Sequence, residues 1–248
     1  MDVRIYKINT GITGRNFSSD KRTNFPIGGK TNSFYSIGNL MRGIEDFYLE
    51  GNLYFIDKEE ELEKFYNPLG DRWVAKKKYY ISHPKKAREN YLLEASKFHE
   101  YIVREQLEEI ANYLHHELNI NSLKIEVEDG NDFLFYTNIA IEEMNLNNEG
   151  KVELNGDKTL EIKWSENVNS QNEFLWIDDF DGLVNKVQEL KASNKWGEKE
   201  SLEENSLSKG EASYILEIDN SFGISEKIAK KIGVSPTWLK KCSFKLIF

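Results

Sequence analysis

Histidine and cysteine are the side chains that could bind a metal or attack a substrate. The chain contains His83, His99, His115, His116 and a single cysteine, Cys242. His99 and His115 fall on one predicted helix, but they are rotated by about 160° from each other and do not share a face. The adjacent His115 and His116 do not form the i, i+4 pair that chelates zinc. We therefore predict no metal site, and we interpret these helix histidines as solvated.

Two further patterns come close to known chemical sites but fail on spacing. Gly28–Thr31 resembles the end of a phosphate-binding loop, yet Asn24 stands where the first glycine belongs and no strand precedes it. Asp178, Asp179 and Asp181 come before Gly182 as in a calcium loop, but the first and twelfth loop positions lack a ligand. We expect Asp178 or Asp179 to cap the following helix. We predict no catalytic residue and no cofactor, and an enzyme with a dispersed acidic metal site stays open as an alternative.

Basic and aromatic side chains alternate between Arg72 and Arg88. This segment, RWVAKKKYYISHPKKAR, holds seven basic residues and no acidic one. Such a composition is typical of surfaces that bind phosphates or single strands. The candidate nucleic-acid-binding residues here are Lys76, Lys77, Lys78, Lys85 and Lys86. The alternative is an edge strand whose lysines prevent pairing with another chain.

The C-terminal segment 225–241, SEKIAKKIGVSPTWLKK, has the spacing of two short helices joined by a turn. Gly233 suits a left-handed turn position, Ser235 suits an N-cap, and Pro236 suits the first turn of a second helix. The segment resembles a helix-turn-helix unit, which implies DNA binding. Its candidate phosphate contacts are Lys227, Lys230, Lys231, Lys240 and Lys241. The alternative is a structural corner with solvated lysines, because the second helix lacks the Arg, Asn or Gln that usually contact base edges.

Charge is distributed unevenly along the 248 residues, whose net charge is −9. Residues 225–248 carry +5, residues 11–42 carry +4, and residues 43–224 carry −19. The overall acidity argues against a nucleic-acid partner, and the distribution weakens that objection without removing it.

Hydrophobic periodicity predicts the elements that would position these residues. A long amphipathic helix is expected at about 96–118, closed by Asn119. Alternating strands are expected around 123–128 and 152–164, a helix at 179–190, and a short C-terminal helix pair. This order predicts an α+β fold with a mostly antiparallel sheet. We predict a domain at 1–191, a charged linker at 192–209, and a C-terminal unit at 210–248 packed on that domain.

Composition places the chain among intracellular globular proteins. No apolar run is long enough for a transmembrane helix, and the N-terminus lacks the apolar core of a signal peptide. The 26 lysines, 7 arginines and 24 asparagines suggest a bacterial origin and a cytoplasmic location. Aromatic residues such as Tyr54 and Phe55 are interpreted as core. The leading hypothesis is a non-catalytic protein that binds an unknown protein partner, and nucleic-acid binding through the C-terminal segment is the alternative.

Overall fold

The computed structural model describes much of the predicted secondary structure. The described residues are 3–8, 53–56, 59–70, 73, 78–129, 146, 151–154, 159–164, 174–193 and 212–248. The basic stretch 11–42, which includes Gly28–Thr31, lies outside them. So do Lys76, Lys77 and the predicted linker from residue 194 onward.

The chain divides into two compact units, each built from segments that are distant in the sequence. Unit 1 consists of Met1–Phe98 and Ser221–Leu239, and unit 2 consists of His99–Asn220 and Lys240–Phe248. The domain limits predicted from the sequence, 1–191, 192–209 and 210–248, stay a prediction.

Unit 1 contains a four-stranded sheet with the order β2-β1-β3-β4. Its strands are β1 Ile5–Ile8, β2 Leu53–Ile56, β3 Tyr79–Ser82 and β4 Leu92–Glu94. β1 pairs in parallel with β2, whereas β3 pairs antiparallel with both β1 and β4. β3 is therefore an internal strand. The interpretation of Arg72–Arg88 as an edge strand protected by lysines is wrong for Tyr79–Ser82, because these residues pair with a strand on each side.

One face of this sheet supports a small aromatic core. Tyr6 and Tyr80 lie opposite each other on β1 and β3, and both are buried. They pack with Leu62 of the short helix α1, Glu59–Leu62, and with the partly buried Phe65 and Trp73. Burying this apolar surface is the main force that holds α1 and the following segment against the strands.

The C-terminal part of unit 1 begins as predicted and then departs from the prediction. Helix α4, Glu226–Ile232, is capped by the Ser225 hydroxyl, which accepts from the Ile228 N–H at 3.4 Å. Gly233 ends it at φ 83°, in the left-handed conformation that favours glycine. The second predicted helix is instead a single 3₁₀ turn, Pro236–Leu239.

Unit 2 contains a five-stranded antiparallel sheet with the order β6-β7-β5-β9-β8. Its strands are β5 Ser122–Asp129, β6 Lys151–Leu154, β7 Thr159–Lys163, β8 Ser213–Ile218 and β9 Cys242–Ile247. Leu123 and Ile125 are buried on one face, and Lys124 and Glu126 lie on the other. The alternation predicted for this strand is confirmed.

Two helices accompany this sheet in the chain. Helix α2, Phe98–Leu118, belongs to unit 2 from its second residue, and its apolar stripe is almost completely buried. Asn119 follows at φ 49°, which fits its predicted role at the helix end. Helix α3, Asp181–Ala192, comes directly after the 3₁₀ turn Ile177–Asp179.

The predicted α+β class is confirmed, with mostly antiparallel pairing and one dominant helix. In the part of the chain that the structure describes, no helix is both long and apolar enough to cross a membrane.

Candidate functional site

The three described candidate lysines of this stretch, Lys78 just before β3 and Lys85 and Lys86 between β3 and β4, have different environments. Lys78 Nζ lies 2.5 Å from Glu94 Oε2. Burial alone would raise the pKa of Glu94, but hydrogen bonds from Lys78 and Ser96 outweigh it and lower this pKa. Lys85 is 9% exposed, and its backbone N–H donates to His83 Nδ1 at 3.1 Å. Of these three described lysines, Lys86, in the 3₁₀ turn Lys86–Arg88, is the exposed one.

The C-terminal lysines are exposed but do not lie on a recognition helix. Lys227, Lys230 and Lys231 project from α4, whereas Lys240 and Lys241 belong to unit 2. A four-residue 3₁₀ turn is only about 8 Å long, too short to lie along a major groove as a recognition helix does. The resemblance to a helix-turn-helix unit therefore covers the first helix and the turn.

Tyrosines and an arginine form a surface cluster beside β4. Tyr66 is 53% exposed, and its ring centroid lies 4.9 Å from that of Tyr91. The Arg88 guanidinium lies over the Tyr91 ring at 5.6 Å, within cation–π range. Backbone hydrogen bonds hold the segments together, since Tyr66 N–H donates to Asn90 and Leu92 N–H donates to Tyr66.

A second tyrosine–arginine pair lies at the start of β1 and β2. Tyr54 is 38% exposed and its ring lies 5.4 Å from that of Tyr6. The Arg4 guanidinium lies 5.9 Å from the Tyr54 centroid. A hydrogen bond to the Tyr6 hydroxyl raises the pKa of Arg4, and the charge of Glu89 adds to this effect. The interpretation of Tyr54 as a core residue is wrong, because its strand lies at the end of the strand order and leaves the ring partly uncovered.

Both pairs lie at the same end of the four-stranded sheet. Arg4 precedes β1 and exchanges hydrogen bonds with Ser82, the last residue of β3, while β4 begins just after Tyr91. We call Arg4, Tyr54, Tyr66, Arg88 and Tyr91 the tyrosine–arginine surface. Sequence reasoning singled out the stretch that contains Arg88 but missed the other four. They are dispersed from residue 4 to residue 91, and the pairing of the strands and of Tyr66 with Tyr91 places them at one end of the sheet.

The division into units also separates the charges of the chain. Unit 1 has 20 basic and 14 acidic residues, a net charge of +6. Unit 2 has 13 basic and 28 acidic residues, a net charge of −15. The tyrosine–arginine surface therefore belongs to a basic unit of an acidic protein.

The half-buried Cys242 contacts a polar cluster in unit 2. His99 Nε2–H donates to the backbone carbonyl of Asn220 at 2.7 Å, and the fully buried Asn220 side chain contacts the Cys242 thiol. Burial lowers the pKa of His99 to about 4, although that hydrogen bond opposes the shift. Burial also raises the pKa of the Cys242 thiol. Both groups are uncharged at neutral pH, so they do not form the thiolate–imidazolium pair of cysteine catalysis.

Two helix histidines are buried, which corrects the prediction that they are solvated. His99 and His115 are 2% and 1% exposed, and of the three histidines on this helix only His116 is exposed. His115 Nδ1–H donates to the carbonyl of Ile120 at 2.6 Å, and its ring stacks on Trp164 at 4.5 Å. Each buried ring bonds a backbone carbonyl, which offsets the cost of removing it from water.

A carboxylate from α2 anchors the start of the 3₁₀ turn that precedes α3. Glu109 Oε1 accepts the backbone N–H groups of Trp176 and of Ile177, the latter at 2.9 Å. Glu105 accepts the Trp176 indole N–H at 2.8 Å. The expectation that Asp178 or Asp179 caps the following helix is wrong, since neither the turn nor α3 has a side-chain cap. Glu109, distant in sequence, accepts the N–H groups at the start of the preceding turn, and α3 itself begins without a side-chain cap.

Replacing Glu109 tests this anchor. E109A leaves two N–H groups without an acceptor, and we expect it to lower the free energy of unfolding by about 1–3 kcal/mol. E109Q keeps an acceptor oxygen and should lower the free energy of unfolding by less than E109A does. Burial raises the pKa of Glu109, so the wild type gains stability as pH falls through that raised pKa, and E109Q should lose this gain. Urea unfolding at several pH values measures both effects, and an identical pH dependence in wild type and E109Q would contradict the assignment.

Among the described residues, no group of three or more His, Cys, Asp or Glu side chains is placed to hold a metal ion. The chain matches no protein-family model, no curated protein and no solved structure. Its function must therefore be argued from its own residues.

Proposed function

We propose that this protein is a non-catalytic binding protein and that it binds an anionic partner at the tyrosine–arginine surface. The observation that carries the proposal is the pairing of exposed tyrosine rings with guanidinium groups in a unit of net charge +6. Tyrosine and arginine are enriched among residues that dominate binding energy at interfaces. A bacterial origin and a cytoplasmic location remain part of the proposal and rest on composition.

The arrangement of the rings favours a ligand over a purely structural role. Tyr66 leaves about half of its surface in water, where the ring gains little from burial. Its neighbour Tyr91 contacts both Tyr66 and Arg88, and these contacts restrict the two rings before any ligand binds. Preorganised side chains lose less entropy on binding.

Two other functions remain as rivals. DNA binding through the C-terminal segment would use Lys227, Lys230 and Lys231, which are exposed on α4. An enzyme with a dispersed acidic metal site would use carboxylates that no described cluster brings together.

A matched pair of double variants tests the location of the site. The ligands are fluorescein-labelled oligothymidylate, a DNA duplex of equal length and polyglutamate, titrated at about 50 mM salt so that screening is weak. R4A/R88A should weaken binding of the tightest ligand by about 10-fold or more, because each guanidinium supplies a charge-assisted contact. K227A/K230A removes the same charge from α4 and should change the Kd about 2-fold or less. Thermal unfolding by circular dichroism verifies that both variants fold.

The outcomes distinguish binding at the tyrosine–arginine surface from DNA binding through α4. Absence of binding to all three polyanions would refute anion binding. A larger loss in K227A/K230A than in R4A/R88A would move the site to α4 and favour the helix-turn-helix hypothesis.

A further inference from the structure

We propose that the anionic partner is a single-stranded nucleic acid, one of whose bases stacks on Tyr66 while its backbone phosphates contact Arg88 and Lys86. This inference rests on the proposed function. It replaces an anionic partner of any kind with one chemical class, single-stranded nucleic acid. Three features of unit 1 support it: the exposed ring, the neighbouring cations and the absence of a recognition helix after α4.

The exposed ring is the first feature. Tyr66 is the most exposed tyrosine that the structure describes, and its ring contacts Tyr91 at 4.9 Å and 55°. Tyr91 limits the positions that the Tyr66 ring can adopt, and the remaining ring surface is open to water. Aromatic side chains on single-strand-binding proteins stack with bases in this way, at about 1–3 kcal/mol per base.

The cations beside the ring are the second feature. Arg88 lies over the Tyr91 ring, and the exposed Lys86 begins the same 3₁₀ turn two residues earlier, so one cation contacts the ring pair and a second lies on the adjoining turn. Glu89 is the only acidic residue between His83 and Tyr91. Single-strand sites combine such a positive backbone track with aromatic rings, whereas an acidic protein segment has no base to stack on Tyr66.

The short C-terminal turn is the third feature. Duplex DNA hides its bases inside the stack and is usually contacted by a helix or a β-ribbon in the major groove. The 3₁₀ turn Pro236–Leu239 is too short to serve as that helix. Unpaired bases are the form of nucleic acid that a ring on a surface can contact.

The test separates stacking from charge in the full chain. We expect Y66A to weaken oligothymidylate binding by about 5- to 150-fold, the loss of one stacked base. Y66F keeps the ring and should bind within about 2-fold of the wild type. Polyglutamate binding should be unchanged in Y66A. I215A removes an exposed apolar side chain of unit 2 and is the matched control for nonspecific surface effects.

Each outcome decides between this inference and the broader proposal. If R4A/R88A weakens oligothymidylate binding while Y66A does not, the stacking inference is overturned and anion binding stands. Duplex DNA or polyglutamate binding more tightly than oligothymidylate would overturn single-strand recognition in the same way. If none of the ligands binds, both proposals fail.

Discussion

Replacing Trp176 with alanine is expected to lower the free energy of unfolding by about 3–5 kcal/mol, the range for truncating a large buried aromatic residue. Trp176 is 1% exposed and is among the largest fully buried side chains described in the chain. The substitution leaves a cavity and also removes the donor that Glu105 accepts at 2.8 Å. Urea denaturation followed by far-ultraviolet circular dichroism measures the loss.

The W176F variant separates the cavity from the hydrogen bond. Phenylalanine retains most of the apolar volume but lacks the indole N–H, so we expect a loss of about 1–2 kcal/mol. If W176A and W176F were equally destabilised, the hydrogen bond rather than packing would dominate. A loss below about 1 kcal/mol in W176A would contradict the burial of this side chain.

Acid should destabilise the protein through His99. Burial lowers the pKa of His99 to about 4, whereas the unfolded chain has the ordinary histidine value of about 6.5. Between these values the unfolded state binds more protons than the native state. The contribution of His99 to the free energy of unfolding is therefore complete above about pH 6.5. It is lost as pH falls toward 4, by about 3 kcal/mol in total.

Two variants separate the effect of His99 on the pH dependence of unfolding from that of the carboxylates, which also titrate in acid. H99Q does not ionise, so its unfolding free energy should fall less steeply than that of the wild type between about pH 6.5 and 4. H116Q alters the exposed histidine of the same helix and serves as the control. Superimposable pH profiles for wild type and H99Q would show that His99 is not held neutral by burial.

Local patterns in the sequence predicted most of the elements. Helix α2 and strand β5 were predicted because their apolar residues repeat at 3.6 and 2 residues, the periods of a half-buried helix and strand. Ser225 and Gly233 marked both ends of α4, since capping depends on residues that are adjacent in the chain. The order of the predicted helices and strands was likewise sufficient for the α+β class.

The same local rules failed where partners come from elsewhere in the chain. His99 and His115 are polar by residue type, but backbone carbonyls at Asn220 and Ile120 allow them to be buried. The aspartates before α3 are favourable caps by type, yet α3 has no side-chain cap, and Glu109 instead accepts the N–H groups that begin the preceding turn. A pattern within one segment contains no information about such partners.

The sequence by itself therefore determined the class of fold, the main helices and strands, and the uneven distribution of charge. Only the tertiary structure decided that residues 1–98 and 221–239 form one basic unit and that Tyr66 and Arg88 both contact Tyr91. The physical reason is that helix and strand formation depends on neighbours within a few residues. A binding surface depends instead on strand pairing between segments tens of residues apart, and that pairing is selected by the burial of the whole core.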